Sequence, residues 1–399
     1  MNRRILCRNN PIEDASSLYT AAFSPTSRFT FFGVYDGHNG GSTARKLAAD
    51  LPEVVCLHLA DVYSNTGSIL PERQPGEPPI PTPALDEIYS AIKAAFIEVD
   101  DLIVNDASRR ALGLSIEEYR VLNEGKESSD SSAPSVSQPM SRVEGMKILK
   151  DAYAGSCALL GIYDSSERLL HVALTGDSRA VLGRRVLVPA IDVPSKEEKD
   201  RVNQSSRDAE KYTYEVHQLS FDQNANNSKE AERLTALHPD EPELLSKNRV
   251  LGWGCARAFG DGVMKWSVAL QKRLSEKFLA DWPRSVLKTP PYFTAEPEVT
   301  TFKGVRRGDF LVLASDGLWD SLTNEEVVGL VGKWLEERGL KERIHLMEGD
   351  MEVILPNKVY PSTTIGLSQL HRTRKDKEDD ESHSSIQVEW VAHSAPCSG

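Results

Sequence analysis

The chain has little cysteine, and none of it in a binding pattern. Cys7, Cys56, Cys157, Cys255 and Cys397 are the only five in 399 residues. Their odd number and wide spacing exclude a disulfide framework and a zinc knuckle, and they fit a reducing compartment. Apolar runs are also short. None approaches the ~18 residues of a membrane-spanning helix, so no membrane insertion is expected. Basic residues are outnumbered, 47 against 59 acidic, for a net charge of −12. An acidic surface disfavours nucleic acid as a partner, and the small clusters Arg3-Arg4 and Arg372-Arg374-Lys375 read as solvated. No G-x-S-x-G, Walker A or G-x-G-x-x-G context occurs, which removes serine acyl transfer, P-loop and dinucleotide chemistry.

What the chain does have is a set of apolar runs that end on carboxylates. Phe29 to Tyr35 is aromatic and β-branched, reads as a buried strand, and closes on Asp36-Gly37-His38. Phe310 to Ala314 closes on Ser315-Asp316-Gly317, and His171 to Thr175 on Gly176-Asp177. Glu13-Asp14 forms a fourth acidic pair, after Pro11-Ile12. Carboxylates projected from several strand ends make a hard-oxygen site suited to Mg²⁺ or Mn²⁺. Packed together without partners they repel, and cations are the natural compensation. On pattern alone this reads as a divalent-metal hydrolase.

Plainer readings stand beside it. Asp-Gly is also a common hairpin turn. Asp177 could cap a strand and pair with Arg179, Asp320 could cap the loop before the last helix, and Asp261 reads as structural. His171, His217 and His238 read as ordinary polar surface or strand residues, and Cys157 and Cys255 as small core residues.

Five motifs occur in order: VYDGHNGG (34–41), GSCALLGIYD (155–164), ALTGDSRAVLG (173–183), ARAFGD (256–261) and LASDGLWD (313–320). The series resembles that of the metal-dependent Ser/Thr phosphatases of the PPM type, the protein phosphatase 2C family, over about residues 10–335. LSFDQNANN, ERLTALHPDEP, Lys265-Trp266 and TPPYFTAEPEVT further resemble the fungal mitochondrial pyruvate dehydrogenase phosphatase branch. The resemblance implies an α+β fold, a four-layer α-β-β-α sandwich of two antiparallel sheets with the metal cleft at one edge. It implies hydrolysis of phosphoserine or phosphothreonine in a phosphoprotein by a metal-activated water. Asp36 would bridge two Mg²⁺ or Mn²⁺ ions and the Gly37 carbonyl would complete one shell. Glu13 and Asp14 would hold metal-bound waters or an ion, and Asp316 would ligate the other side. Asp177 would serve an optional third ion. His38 would protonate the leaving oxygen. The resemblance also implies the mitochondrial matrix, with the cytoplasm as the alternative because Met1 to Arg8 is too short for a presequence. Oligomeric state is left open.

Composition divides the chain into a phosphatase domain over 1–338, with insertions at 64–83, 123–142 and 191–212, and a divergent, largely disordered segment over 339–399. A helix is expected from Ser42 to Leu59 with a kink or restart at Pro52. A long amphipathic helix is expected through Leu85, Ile88, Ile92, Ala95, Phe96, Val99, Leu102 and Ile103. Others are expected over Glu230–Leu237, in a flap over 264–285, and from Asn324 to Arg338 with Thr323 as N-cap.

Two departures from the family pattern stand out. Its phosphate-gripping basic residue falls near Asn9, so the phosphate-binding residue is unassigned. Its late Asp-Asn pair has no match after Asp320, because Asp376, Asp379 and Asp380 lie in a solvated charge run. The closing strand and helix are therefore expected to be missing. Two alternatives stay open: a catalytically impaired pseudophosphatase or truncated product acting as a binding module, and a phosphohydrolase of small molecules.

Overall fold

The structure is a computed structural model that describes residues 12–23, 28–65, 82–125, 138–187, 212–337 and 364–366. Arg3-Arg4, Arg8, Asn9, most of the three insertions and residues 338–399 apart from 364–366 lie outside the described residues.

The strands are β1 (Ala15–Ala22), β2 (Arg28–Tyr35), β3 (Gly37–His38), β4 (Gly155–Ser156), β5 (Ala158–Asp164), β6 (Leu169–Thr175) and β7 (Arg179–Leu187). They continue as β8 (Tyr212–Gln218), β9 (Leu245–Ser246), β10 (Arg249–Val250), β11 (Phe259–Gly260), β12 (Glu298–Lys303), β13 (Phe310–Ala314) and β14 (Thr364–Gly366). One sheet runs β12-β6-β5-β2-β1-β14, a second runs β13-β7-β8, and β11-β4-β3 and β10-β9 are small ladders. All pairings are antiparallel except β14, which lies parallel to β1 with Ile365 opposite Ala21. A three-residue strand thus occupies the β1 edge of the sheet, where no closing strand was expected.

Period-two alternation explains why these sheets stack. In β5, Ala158, Leu160 and Ile162 join the core beneath the helices, while Leu159 and Tyr163 join the core between the sheets. Gly161 shares that second face, and a Cβ there would meet Leu311 and Leu313 of β13. β7 splits likewise, Ala180 and Leu182 facing the first sheet and Val181 the opposite side. A strand apolar on both faces must be covered on both. Helices α1 (Ser42–Asn65) and α2 (Leu85–Asp101) cover the first sheet. Val328, Val331 and Leu335, from the helix Asn324–Glu337, cover the second. The four layers are thus helix, sheet, sheet, helix.

Helix α1 runs through Pro52 without the restart that was one of the two outcomes expected there. A proline inside a helix costs about 3 kcal/mol. Leu47, Leu51, Val55 and Leu59 are all buried around it, and each contributes about 1.5–3 kcal/mol. Helix α2 continues through a π turn, Leu102–Asp106, into α3 (Ala107–Leu112). Ile103 keeps its place in the core, while Leu102, expected in the apolar stripe, is 51% exposed. Further on come α4 (Ile116–Asn123), α5 (Arg142–Tyr153), α6 (Ser228–Leu237), α7 (Val268–Phe278), α8 (Asp316–Trp319) and α9 (Asn324–Glu337). Thr323 caps α9 as expected: its hydroxyl accepts from Glu326 N at 3.2 Å, and its own N–H donates to Glu326 Oε2 at 2.8 Å.

His171 is a strand residue, as expected, but fully buried in β6, with Nδ1 2.8 Å from Thr301 Oγ1 on β12. Burial pushes its imidazole down to about 4, against the pull of Asp164. Between the ordinary value near 6.5 and about 4, the unfolded chain takes up a proton that the folded chain refuses. Stability therefore falls with pH across that window, by about 3 kcal/mol from this residue. Urea denaturation of the protein and His171→Asn at pH 7.5 and pH 4.5 should show the wild type losing more. Equal losses would remove His171 from the acid response.

Candidate metal centre

Three of the carboxylates expected at strand ends do converge. Asp36 follows β2 and Asp177 follows β6 in the first sheet, while Asp316 follows β13 in the second and opens α8. One carboxylate oxygen from each lies within 4.8 Å of the others. The site is therefore made by stacking the two sheets with their strand ends in line. The Asp36 carbonyl accepts from Cys157 N at 2.9 Å. Asp177 is aimed by Gly176, which takes φ +111° and whose Cβ would sit 2.3 Å from Cys157 Sγ. Gln223 clamps the same turn: its side chain accepts from Gly176 N and its N–H donates to Gly176 O, both at 2.8 Å. The Cys157 thiol donates to Asp177 Oδ1 at 3.1 Å.

Electrostatics register the crowding. Burial pushes Asp36 up to about 8, and the charges of Asp14, Asp316 and Asp177 add to the rise. Burial also raises Asp177 to about 6; the Cys157 thiol opposes that rise and the Asp316 charge reinforces it. Asp14 is raised as well, first by burial. A cation would reverse all three, and a donor set made only of carboxylate oxygens fits Mg²⁺ or Mn²⁺.

Glu13 and Asp14 stand beside this trio. Asp14 Oδ1 accepts from Gly37 N at 3.3 Å and Glu13 Oε1 from Gly40 N at 3.1 Å, so the acidic pair stitches down the loop after β2. Gly37 packs on that segment so closely that a Cβ would lie 2.2 Å from Glu13 O. Asp177 does not pair with Arg179. That guanidinium forks onto Asp222, at 2.8 and 2.6 Å, and reaches Asn324. A cleft of about 390 Å³, lined by Arg179, Trp319, Asp320, Asn324 and Glu325 among others, opens one turn beyond Asp316.

Asp261 is the residue that sequence reasoning missed. It is fully buried, in a left-handed conformation (φ 46°), and its Oδ2 lies 2.6 Å from His38 Nε2. Its Oδ1 has no hydrogen-bond partner among the described residues. Burial alone would disfavour the imidazolium, but the Asp261 charge and hydrogen bond outweigh it and hold His38 at about 9. With Nε2 committed to Asp261, Nδ1 is the atom left to exchange a proton. Trp253 stands edge-on to the ring, centroids 5.7 Å apart. Gly155 makes the contact possible, since a Cβ there would lie 2.2 Å from His38 Nε2 and 2.3 Å from Asp261 Oδ2. The available signal was the Gly260-Asp261 dipeptide, both residues being left-handed.

Residues 105–348 match the family described as Protein phosphatase 2C. That span includes Asp177, Asp261 and Asp316. The chain is 31% identical over 330 residues to a protein phosphatase 2C homolog of Schizosaccharomyces pombe, covering 82% of this chain and 61% of that protein. It is 32% identical over 314 residues to the mitochondrial pyruvate dehydrogenase (acetyl-transferring) phosphatase 1 of Saccharomyces cerevisiae, covering 77% and 44%. Against the Homo sapiens protein of that same name, identity is 30% over 351 residues, covering 82% and 59%. The chain spans about half of the length of these relatives.

Replacing one member of the trio should act oppositely with and without metal. Asp36→Asn replaces a carboxyl that folding pushes up to about 8, so at neutral pH the metal-free protein should gain stability, on the order of a few kcal/mol. The same change should abolish the melting-temperature rise that millimolar Mn²⁺ gives the wild type. Calorimetry in chelator and in Mn²⁺ checks both. A wild type with no Mn²⁺ response would remove the trio as a cation site.

Proposed function

Because the chain belongs to the protein phosphatase 2C family, we propose that it is a metal-dependent protein serine/threonine phosphatase. The observation that carries this reading is the convergence of Asp36, Asp177 and Asp316 within 4.8 Å. Bound Mg²⁺ or Mn²⁺, two ions with a third as an option, would supply charge neutralisation for the phosphoryl group and a water of lowered pKa. Asp36, Asp177 and Asp316 would hold the ions, with Glu13, Asp14 and the Gly37 carbonyl contributing through water or directly.

The remaining chemistry belongs to the His38–Asp261 pair. Displacing a serine or threonine alkoxide needs a proton donor, and an imidazolium held at about 9 keeps its proton at neutral pH. Asp261 fixes Nε2, so His38 would deliver the proton from Nδ1. The named activities of the relatives support the pyruvate dehydrogenase complex as substrate and the mitochondrial matrix as location. The alternative is a catalytically impaired binding module, supported by the lack of a match to the family's Asp-Asn pair after Asp320.

Mn²⁺-dependent hydrolysis of a phosphoserine peptide by the purified chain tests the proposal. Turnover should be present, and Asp36→Asn should lower it by roughly two orders of magnitude or more. No turnover with any divalent ion, from a chain that still binds Mn²⁺, would favour the binding module.

His38 makes a sharper prediction. A proton donor matters for a poor leaving group and little for p-nitrophenolate, which departs as the anion. His38→Gln and Asp261→Asn should therefore cost roughly 10²-fold or more on the phosphopeptide and much less on p-nitrophenyl phosphate. Equal losses on both substrates would exclude proton donation by His38.

A further inference from the structure

The turn that carries Asp261 is gripped from a helix outside the site. Asp100 lies near the end of α2, and its Oδ1 accepts from Gly260 N at 2.9 Å. Lys265 Nζ donates to both oxygens of that carboxylate, at 2.7 and 2.6 Å, and to Ala258 O at 2.8 Å. The pair thus holds both ends of Ala258-Phe259-Gly260, the three residues before Asp261. The ladder that carries His38 and Asp261 is short. In β3, β4 and β11, each two residues long, His38 stands opposite Gly155 and Gly155 opposite Gly260. Neither glycine has room for a side chain: a Cβ on Gly260 would lie 2.2 Å from Ala154 O, and one on Gly155 2.2 Å from His38 Nε2. Of this tripeptide, Phe259 meets α2 through its ring, 5.4 Å from that of Phe96 between centroids. Polar contacts from α2 therefore do what side-chain packing on the glycines cannot.

We propose that Asp100 and Lys265 are positioning residues for proton donation by His38: they fix the backbone that places Asp261, and Asp261 places the imidazole. Their role rests on the reading of His38 as the proton donor.

The ion pair is sheltered, with 9% of the Lys265 side chain and 13% of the Asp100 side chain exposed. Two charges so enclosed recover by attraction roughly what they lose in hydration, and an apolar pair of similar volume often serves stability as well. What apolar side chains cannot supply is a hydrogen bond to Gly260 N and another to Ala258 O. The gain from the pair is therefore geometric. Among the described residues, neither Asp100 nor Lys265 bonds to Asp36, Asp177 or Asp316; their bonds go to each other and to the backbone before Asp261. Loosening the turn would shift Asp261 against His38 Nε2 and leave the cation ligands where they are. A catalytic group displaced by about 1 Å can cost on the order of 10²-fold in rate. That loss falls on substrates whose leaving oxygen needs the proton, and spares those whose leaving group departs as the anion.

The test uses the whole chain and removes both charges together, because either alone would leave the other buried without its partner. Asp100→Leu/Lys265→Met should bind Mn²⁺ as the wild type does in a calorimetric titration, and should hydrolyse p-nitrophenyl phosphate within about threefold of it. On a phosphoserine peptide its kcat should fall roughly tenfold or more, with KM little changed. Lys93→Met, which breaks the half-exposed Lys93–Glu296 pair on the same helix, should alter neither activity. In a His38→Gln background the double change should cost nothing further on the peptide, as groups that act as one unit do. A further loss in that background, or equal losses on both substrates with His38 intact, overturns the positioning role. Should the double variant fail to fold, Asp100→Asn and Lys265→Arg are carried through the same cycle. Each should show a smaller loss confined to the peptide and absent without His38, and a loss shared by both substrates overturns the role equally. If His38→Gln itself loses equally on both substrates, His38 is not the donor, and the positioning role falls with that reading.

Discussion

The burial and crowding of Asp36, Asp177 and Asp316 at one place is the constraint around which the rest of the molecule is arranged. Three carboxylates with oxygens within 4.8 Å of one another would separate in a flexible chain, because each gains hydration by moving away. They stay because each is the terminus of a strand whose side chains are committed to two cores. Moving Asp36 means moving β2, whose Phe29, Phe31 and Tyr35 are buried under the helices. Moving Asp316 means sliding β13 and its Leu311 and Leu313 out of the space between the sheets. Burial of apolar side chains, at about 25 cal/mol per Å², thus holds together a charge arrangement that is unfavourable until a cation arrives.

The same division of labour appears in the groups around the trio. Glycines stand wherever backbone must approach: Gly37 against Glu13, Gly176 against Cys157, and Gly155 between His38 and Asp261. Neutral clamps, such as Gln223 on the Gly176 turn, fix backbone without adding charge. Among the described residues, Arg179 pairs with Asp222 and Lys265 with Asp100, so neither neutralises the trio. The charge of His38 does oppose the rise at Asp36, and Asp261 keeps that imidazole charged while holding one of its nitrogens.

Much of this was legible in advance because it is local. Runs such as Phe310–Ala314 closing on Asp316-Gly317 announce both strand and carboxylate. The Thr323 cap and the amphipathic stripe of α2 follow from spacing alone. What escaped prediction was decided by contacts far apart in the chain. Pro52 stays helical because the surrounding face is buried, and local propensity is outweighed by packing. Asp261 looked structural because its partner, His38, lies 223 positions earlier, and no pattern within either segment refers to the other. The Cys157 thiol beside Asp177 could not be told from an ordinary small core residue by the same logic.

By itself, then, the sequence determined which residues could be strand, which face of each strand would be apolar, and which carboxylates would sit at strand ends. These depend on side-chain alternation and turn chemistry within about ten residues. Only the tertiary structure decided that Asp36, Asp177 and Asp316 form the trio while Glu13 and Asp14 brace the loop beside it. It also decided that Asp177 leaves Arg179 to Asp222, and that His38 is held by Asp261. The physical reason is that site geometry is set by how the two sheets stack and stagger. That stacking is a property of interdigitating side chains from both sheets at once, which no single segment contains.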